Sequence, residues 1–274
     1  MPGYAGPTWE EAKLVPRPRG ILFSRIHRLA WLVAILLLLP INLLAEQTHS
    51  NVVCREDLSQ ARRDELVNKL RRITGWPDLK FDRDGALQRG NAEPVGGSKS
   101  ARDLVAKTIY GSNVVVLEDA SQRSDVAFCR VLPGKWKNDS SNNLPAHVVQ
   151  IDFADFEQVL GDERALEAFN AGWGLLHEFD HIVNDSPDAI SLGETGECEA
   201  HINQMRRECN LPQRADYFYT LLPLSTDTAF MTRLVRLAFD QELPSANKKK
   251  RYWLLWDANV VGGLEWPKQI AALR

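Results

Sequence analysis

The 274-residue sequence lacks the features that mark several large classes of protein. It holds only four cysteines, which excludes a disulfide-dense chain, and its 44% hydrophobic content excludes a disordered one. The net charge of −3 gives no generally basic surface for nucleic acid. There is no P-loop, no G-x-G-x-x-G and no G-x-S-x-G, so neither nucleotide chemistry nor serine hydrolysis is indicated.

Long apolar runs are also scarce, and the single one lies near the amino terminus. Residues 29–45 (LAWLVAILLLLPINLLA) carry no charge over 17 positions and follow Arg25 and Arg28. Such a run is just long enough for a transmembrane helix, and the basic flank favours a cytoplasmic amino terminus. We expect a basic cytoplasmic tail at 1–28, an anchor at 29–45 and an extracytoplasmic domain at 46–274. A cleaved signal segment, which would make the domain a secreted one, is the alternative.

The four cysteines all follow this apolar run, as export to an oxidising space permits. Loop length favours two disulfides, one between Cys198 and Cys209 and one between Cys54 and Cys129. Four free buried thiols are the alternative.

Helix and strand patterns alternate along the remaining chain. The spacing of apolar residues predicts helices at 56–74, 101–109, 162–184, 197–209 and 227–241, with Asp162 as an N-cap. It predicts strands at 113–117, 125–132, 147–153 and 251–256. Helices that follow strands in this way predict a mixed α+β domain.

The most informative stretch is Leu-Leu-His-Glu-Phe-Asp-His at residues 175–181. In a helix, His177 and His181 project from the same face because they are one turn apart, so they can bind one metal ion. Glu178 stands beside them as a general base. His201 brings three of the six histidines within 25 residues, which strengthens the prediction of a metal site.

A catalytic zinc needs a third protein ligand and an open position. The predicted helix at 197–209 offers Glu197 and Glu199. We expect Glu199 to be the ligand, with Asn203 one turn later supporting the site, and Glu197 to be the alternative. His201 is a further alternative, either as the third ligand or as a group that stabilises an oxyanion.

These motifs resemble the gluzincin class of zinc metallopeptidases, in which an H-E-x-x-H helix is followed by a helix that bears a glutamate. The segment from Glu199 to Tyr217 also resembles small bacterial H-E-x-x-H domains, some of them in polymorphic toxins. The resemblance covers about residues 148–219, and the usual Asn-Glu-x-x-Ser/Asp signature is absent.

The resemblance implies a zincin-like domain with a small mixed sheet, and a zinc-dependent peptidase. Glu178 would take a proton from water and pass it to the leaving amine, while His201, Tyr217 or Arg206 would stabilise the oxyanion. A peptide or protein substrate would pair with an edge strand, which we expect at 147–153. The membrane is then a second partner, through the apolar segment, and nucleic acid is not one. An exported zinc-binding structural or interaction protein without turnover is the alternative.

Overall fold

The structure, a computed structural model, describes residues 49–121, 123–137, 143–222, 233–243 and 248–261. They belong to the second of the two units into which the chain divides, residues 48–274. The predicted tail at 1–28 and the predicted anchor at 29–45 lie outside the described residues. Among the helices that the structure describes, none is long and apolar enough to cross a membrane.

Helices and strands alternate along the described chain, which confirms the α+β class. In chain order the elements are β1 (Val52–Cys54), α1 (Gln60–Thr74), β2 (Lys80–Phe81), β3 (Leu87–Gln88), α2 (Lys99–Tyr110), β4 (Val114–Asp119), β5 (Cys129–Lys137), β6 (Asn143–Ile151), α3 (Phe153–Glu157), β7 (Leu160–Gly161), α4 (Glu163–Ala168), α5 (Ala171–Asn184), α6 (Gly196–Glu208), β8 (Gln213–Arg214), β9 (Thr220–Leu221), β10 (Leu234–Leu243) and β11 (Lys248–Asp257).

The first sheet has the strand order β1-β4-β6-β5 and is mixed. Strand β4 runs parallel to β1 and β6, whereas β5 is antiparallel to β6. Alternation along β4 sends Val115 and Leu117 to the main core and Val114 and Val116 to the opposite face. Strand β6 is therefore an inner strand, and the expectation that 147–153 forms the edge is wrong. Among the described strands, the two edges of this sheet are β1 and β5.

Helix α5 is anchored in the main core, which it shares with α1, α2, α6 and the first sheet. Leu175, Leu176 and Phe179 are fully buried there. The single helix predicted at 162–184 is instead two helices, because the chain is extended at Phe169 and Asn170. Asn170 then starts α5 as its N-cap, since its side chain accepts the N–H of Gly172 at 3.0 Å.

The second sheet is built on the long antiparallel hairpin β10–β11, with β8, β9 and β7 as short partners. The helix predicted at 227–241 is wrong over the described residues 233–241. Val235, Leu237 and Phe239 are buried at every second position, which is the period of a strand and not of a helix. Across the hairpin, Phe239 and Val235 pair with Tyr252 and Trp256 in a second apolar cluster.

All four cysteines are free thiols, so the expected disulfides are wrong. The alternative of four free buried thiols is correct in the free state of the thiols, but only Cys198 is buried and the other three are partly exposed. Cys198 and Cys209 are eleven positions apart along α6 and its C-cap, roughly 16 Å at the helical rise per residue. Cys54 and Cys129 lie on the outermost strands of the first sheet, about 14 Å apart at the usual strand spacing. Both separations exceed the roughly 7 Å limit between the Cα atoms of a disulfide.

Candidate metal centre

Helix α5 places the two predicted histidines on one side of its last two turns. The helix ends at Asp185, which has a left-handed backbone conformation (φ 54°) and donates its N–H to the carbonyl of His181 at 3.1 Å. This turn reverses the chain, so that the next residues pass back beside His181 instead of continuing away from it. The carbonyl of Ser186 consequently lies 2.6 Å from Nδ1 of His181.

The loop after α5 is tied to the start of α6. The carbonyl of Pro187 accepts the first N–H groups of that helix, from Glu197 at 3.1 Å and Cys198 at 3.2 Å. Gly196 allows this contact, because a Cβ on it would stand 2.3 Å from the nitrogen of Ala189. These bonds hold Asp188 beside the two histidines.

Three ligand atoms meet between α5 and this loop. Nε2 of His177 is 3.1 Å from Nε2 of His181 and 3.1 Å from Oδ1 of Asp188, and the third side of the triangle, from Nε2 of His181 to Oδ1 of Asp188, is 3.5 Å. A tetrahedral ion with bonds of about 2.0–2.1 Å would separate its ligand atoms by roughly 3.3 Å. The triangle therefore has the size that a metal ion requires.

The partners of the other ring nitrogens show why these three atoms need a cation. Nδ1 of His181 donates to the carbonyl of Ser186, and Nδ1 of His177 lies 3.4 Å from Oε2 of Glu199. Both Nε2 atoms are therefore left with lone pairs that face each other. Oδ1 of Asp188 is buried without a hydrogen-bond partner. Three acceptor atoms in contact repel one another unless a positive charge lies between them.

The pKa values at this triangle agree with a site for positive charge. Burial opposes the charged form of His177, but the close approach of Asp188, Cys198 and Glu199 outweighs it and raises the pKa well above the ordinary value. Burial likewise opposes ionisation of Asp188, yet the close approach of His177 and the nearby histidine charges lower its pKa. A proton or a metal ion can satisfy the triangle.

A fourth side chain, Cys198, lies close by. Together with His177, His181 and Asp188 it forms a group that could hold a metal ion, with one ligand atom of each within 4.8 Å of the others. Its Sγ is 3.3 Å from Nδ1 of His177, which is the ring nitrogen that faces away from the triangle. Burial raises the pKa of Cys198 to about 12, so it is a neutral thiol.

The structure places Glu199 behind His177 and not in the triangle. Its carboxylate is fully buried and forms ion pairs with Arg206 and, at 3.3 Å, with Arg214. Burial opposes its ionisation, but the two arginine charges outweigh burial and lower its pKa. Asn203 supports this network, since its Oδ1 accepts from Nη1 of Arg206 at 2.9 Å. Glu199 is thus placed to orient His177 through Nδ1.

The other two candidates of this helix lie elsewhere. Glu197 is exposed in the first turn of α6. His201 is partly exposed, and its Nδ1 is 2.9 Å from Oδ2 of Asp180 and 3.3 Å from the hydroxyl of Ser186. It is not among the residues that line the cavity described below.

Glu178 is buried next to the triangle, at 5% exposure. Its carboxylate accepts a hydrogen bond from the backbone N–H of Val131 on β5. Burial raises its pKa, whereas the nearby charges of His177 and His181 act in the opposite direction. A raised pKa is what a carboxylate needs in order to take and return protons near neutral pH.

Tyr217 covers the triangle from the other side. Its ring stacks on His177 with centroids 6.2 Å apart, and its hydroxyl is hydrogen-bonded to Asp188. Burial and the charge of Asp188 raise its pKa, so it remains a hydrogen-bond donor. Arg214 fixes it, with the guanidinium 4.8 Å from the ring centroid and Nη2 donating to the carbonyl of Tyr217.

These groups line one cavity of about 420 Å³. Its lining includes the triangle, Glu178 and Tyr217, and its walls come from the start of β5, from α5 and from the second sheet. Sequence reasoning found His177, Glu178, His181 and Tyr217 but did not single out Asp188. Asp188 could have been found as an acidic residue in the short segment between the H-E-x-x-H helix and the next helix.

Comparisons with protein-family models, with curated proteins and with solved structures found no match to this chain.

Proposed function

We propose that this protein is a zinc-dependent peptidase whose ion is held by His177, His181 and Asp188. The observation that carries the proposal is the triangle of three acceptor atoms, 3.1–3.5 Å apart, with the buried carboxylate of Glu178 beside it in one cavity. Two histidines, one carboxylate and an open side are the donor set of a catalytic zinc site. Asp188 takes the place for which we predicted Glu199.

The donor set by itself also suits iron(II), because two histidines and one carboxylate form the metal site of many oxygenases. Glu178 favours a hydrolase over an iron(II) oxygenase, because a buried carboxylate next to the metal ligands can accept the proton of the attacking water. It also favours turnover over a purely structural zinc site, which would need no such group. Zinc in this position supplies Lewis acidity, polarising a carbonyl and making water more acidic.

Glu178 is the general base in this proposal. It takes a proton from the attacking water and then donates it to the nitrogen of the leaving amine. The N–H of Val131 keeps its carboxylate in place.

Tyr217 is the group that we assign to the oxyanion. Its hydroxyl lies at the triangle and remains protonated, so it can donate a hydrogen bond to the oxygen that gains charge. Arg214 holds this ring in place and adds positive charge nearby. We assign no part in the reaction to His201 or Arg206, because the first pairs with Asp180 and the second with Glu199.

A peptide substrate is supported by the position of β5. Among the described strands it is one of the two edges of the first sheet, and its beginning lines the cavity. An extended peptide can add to such an edge through main-chain hydrogen bonds. The contact between Val131 and Glu178 places the same edge directly at the general base. The zincin-like character that the sequence resemblance implies agrees with this arrangement.

The location of the reaction is part of the proposal. We propose that residues 29–45 anchor the chain and that the domain at 46–274 faces away from the cytoplasm. Protease added to intact cells that express the chain should then digest the domain. Complete protection, in cells whose surface proteins are digested, would contradict this placement.

The substitution Glu178→Gln tests the peptidase proposal. The variant should bind one zinc ion as the wild-type chain does, because Glu178 is not in the triangle, and its cleavage of a mixed peptide library should fall by about 10²–10⁴-fold. Asp180→Asn, two positions along the same helix, serves as the control and should retain most of the activity. A wild-type chain that holds zinc and cleaves no peptide would favour the non-catalytic alternative.

A further inference from the structure

Six aromatic side chains line the same cavity as the metal triangle. We call this group the aromatic pocket, and it consists of Phe128, Phe156, Phe169, Trp173, Tyr219 and Trp256. Phe128 stands at its centre, with ring centroids 5.2 Å from Phe156, 5.0 Å from Phe169 and 5.3 Å from Trp256. Trp256 lies on β11 and Trp173 on α5, so the aromatic pocket is built partly on the helix that carries His177 and His181.

Phe128 holds an unusual backbone conformation. Its φ is 59°, in the left-handed region that residues with a Cβ rarely adopt. Two hydrogen bonds keep it there: its N–H donates to Oδ2 of Asp155 at 2.9 Å, and its carbonyl accepts the N–H of Asp152 at 2.8 Å. Strained residues of this kind concentrate at functional sites, because the surrounding structure has to enforce them. Here the strain directs a large ring into the cavity.

A glycine at residue 174 lets the ring of Phe156 pack directly against helix α5. A Cβ at Gly174 would stand 3.0 Å from Cζ of Phe156 and 3.4 Å from Cβ of Cys129. Gly174 precedes Glu178 by one helical turn and therefore lies on the same face of α5. The pocket thus begins one turn away from the general base.

The aromatic pocket itself contains no charged side chain. Arg206 and Arg214 line the same cavity, and both form ion pairs with the single carboxylate of Glu199. Burying an unpaired charge among aromatic rings would be costly, whereas an apolar group gains from leaving water. The indole N–H of Trp256 is buried without a hydrogen-bond partner.

We infer that the aromatic pocket binds a large uncharged apolar side chain of the substrate, next to the bond that is cleaved, and that Phe128 determines the size of that side chain. This inference rests on the proposed function, since it names the substrate class of the same site. It goes further in assigning a specificity-determining role to a residue far from the metal-binding motif in the sequence.

The test uses the zinc-loaded full chain and a set of peptides that differ only at the two positions flanking the scissile bond. These positions carry Ala, Leu, Phe, Asp or Lys in turn. At one of the two positions, kcat/KM for Phe or Leu should exceed that for Ala by roughly 100-fold or more, and Asp and Lys should be cleaved more slowly than Ala. Calorimetric titration of zinc-loaded Glu178→Gln with the same peptides should give the same order of affinity.

Phe128→Gly tests the assigned residue. Glycine accepts a positive φ without strain, so the variant removes the ring while relieving the backbone. The preference for Phe over Ala should fall at least tenfold, and zinc content should stay unchanged. Phe128→Leu should also lower the preference for Phe over Ala, but by a smaller factor. Phe81→Ala, which removes a half-buried ring of β2 outside the cavity, is the control and should leave the preference as it is.

The outcomes separate this inference from the proposed function. Cleavage without side-chain preference, or with preference for Asp or Lys, overturns the inference and leaves the peptidase intact. An unchanged preference in Phe128→Gly removes the role of that residue. If no peptide is cleaved although zinc is bound, the proposed function fails, and the calorimetric order of affinities still decides whether the pocket selects apolar side chains.

Discussion

Asp188→Asn removes one negative charge from the metal triangle while keeping the shape of the side chain. In the structure Oδ1 of Asp188 is buried and has no hydrogen-bond partner, and it lies 3.1 Å from Nε2 of His177. A metal ion is what would use this oxygen. Loss of a partner outside the ligand shell costs about 10–100-fold in metal affinity. The loss of a ligand should exceed that range, which corresponds to more than about 2.7 kcal/mol of binding free energy.

Glu199→Asp provides the comparison, because Glu199 is the ligand that the sequence favoured. The shorter side chain keeps the charge that Arg206 requires but draws the carboxylate away from Nδ1 of His177. It should weaken zinc binding by no more than about 10–100-fold. Glu199→Gln is less useful, because it leaves Arg206 buried without its counter-charge, at a cost of about 3–5 kcal/mol in folding free energy.

Competition for zinc with a chromophoric chelator measures these affinities, and circular dichroism verifies folding. Asp185→Asn is the matched control: it is the same substitution three positions away, on an exposed residue whose left-handed conformation asparagine tolerates. Its affinity should equal that of the wild-type chain. If Asp188→Asn stays within tenfold of wild type while Glu199→Asp loses more than 100-fold, then Glu199 is the ligand and the triangle has been misread.

Three further substitutions have defined outcomes. Cys198→Ala should change zinc affinity by less than about tenfold in the same competition assay, because its Sγ lies at the far nitrogen of His177; a larger loss would make it a ligand. Tyr217→Phe should lower kcat by about 10²–10³-fold with zinc content unchanged, as loss of an oxyanion donor does, and an unaltered kcat would refute that role. Glu208→Gln should lower the free energy of unfolding by about 1 kcal/mol at pH 7, because Glu208 accepts from Ser98 and Ser100 at the start of α2. Burial opposes ionisation of Glu208, but these hydrogen bonds outweigh it and lower the pKa of Glu208 to about 2, compared with roughly 4.3 in an unfolded chain. The stabilisation is therefore complete above about pH 4.3 and is lost as the pH falls through about 2. Urea unfolding at pH 7 and near pH 2 measures it, with exposed Glu93→Gln as control, and an equal deficit at both pH values would contradict the assignment.

The sequence predicts those residues of the site that are brought together by the period of a single helix. His177 and His181 are one helical turn apart, so a helix alone brings them together. Asp188 was not predictable in this way, because its position depends on the left-handed turn at Asp185 and on bonds between the loop and α6. Glu199 has the spacing of a ligand, but its carboxylate turns towards Arg206 in the buried network.

The same distinction applies to the fold. The amphipathic pattern of α1 and the β-branched run of β4 are local, and both elements formed close to where they were expected, although α1 begins four residues later than predicted. Over a few residues of β10, the apolar spacing fits the period of a helix as well as that of a strand. The segment forms a strand because it pairs with β11, and no local pattern shows that pairing. The aromatic pocket combines rings from residue 128 to residue 256, so it arises only when both sheets are assembled.

The most direct test of the metal centre is the X-ray absorption spectrum of the full chain purified with its metal. We expect a zinc edge and a shell of nitrogen and oxygen atoms at about 2.0–2.1 Å that includes two imidazoles. When Asp188→Asn is loaded with excess zinc, its spectrum should show a wider spread of distances in this shell. The spectrum of Asp185→Asn should be unchanged. An iron edge would contradict the zinc assignment. A sulfur atom at about 2.3 Å would place Cys198 among the ligands and contradict the triangle of His177, His181 and Asp188.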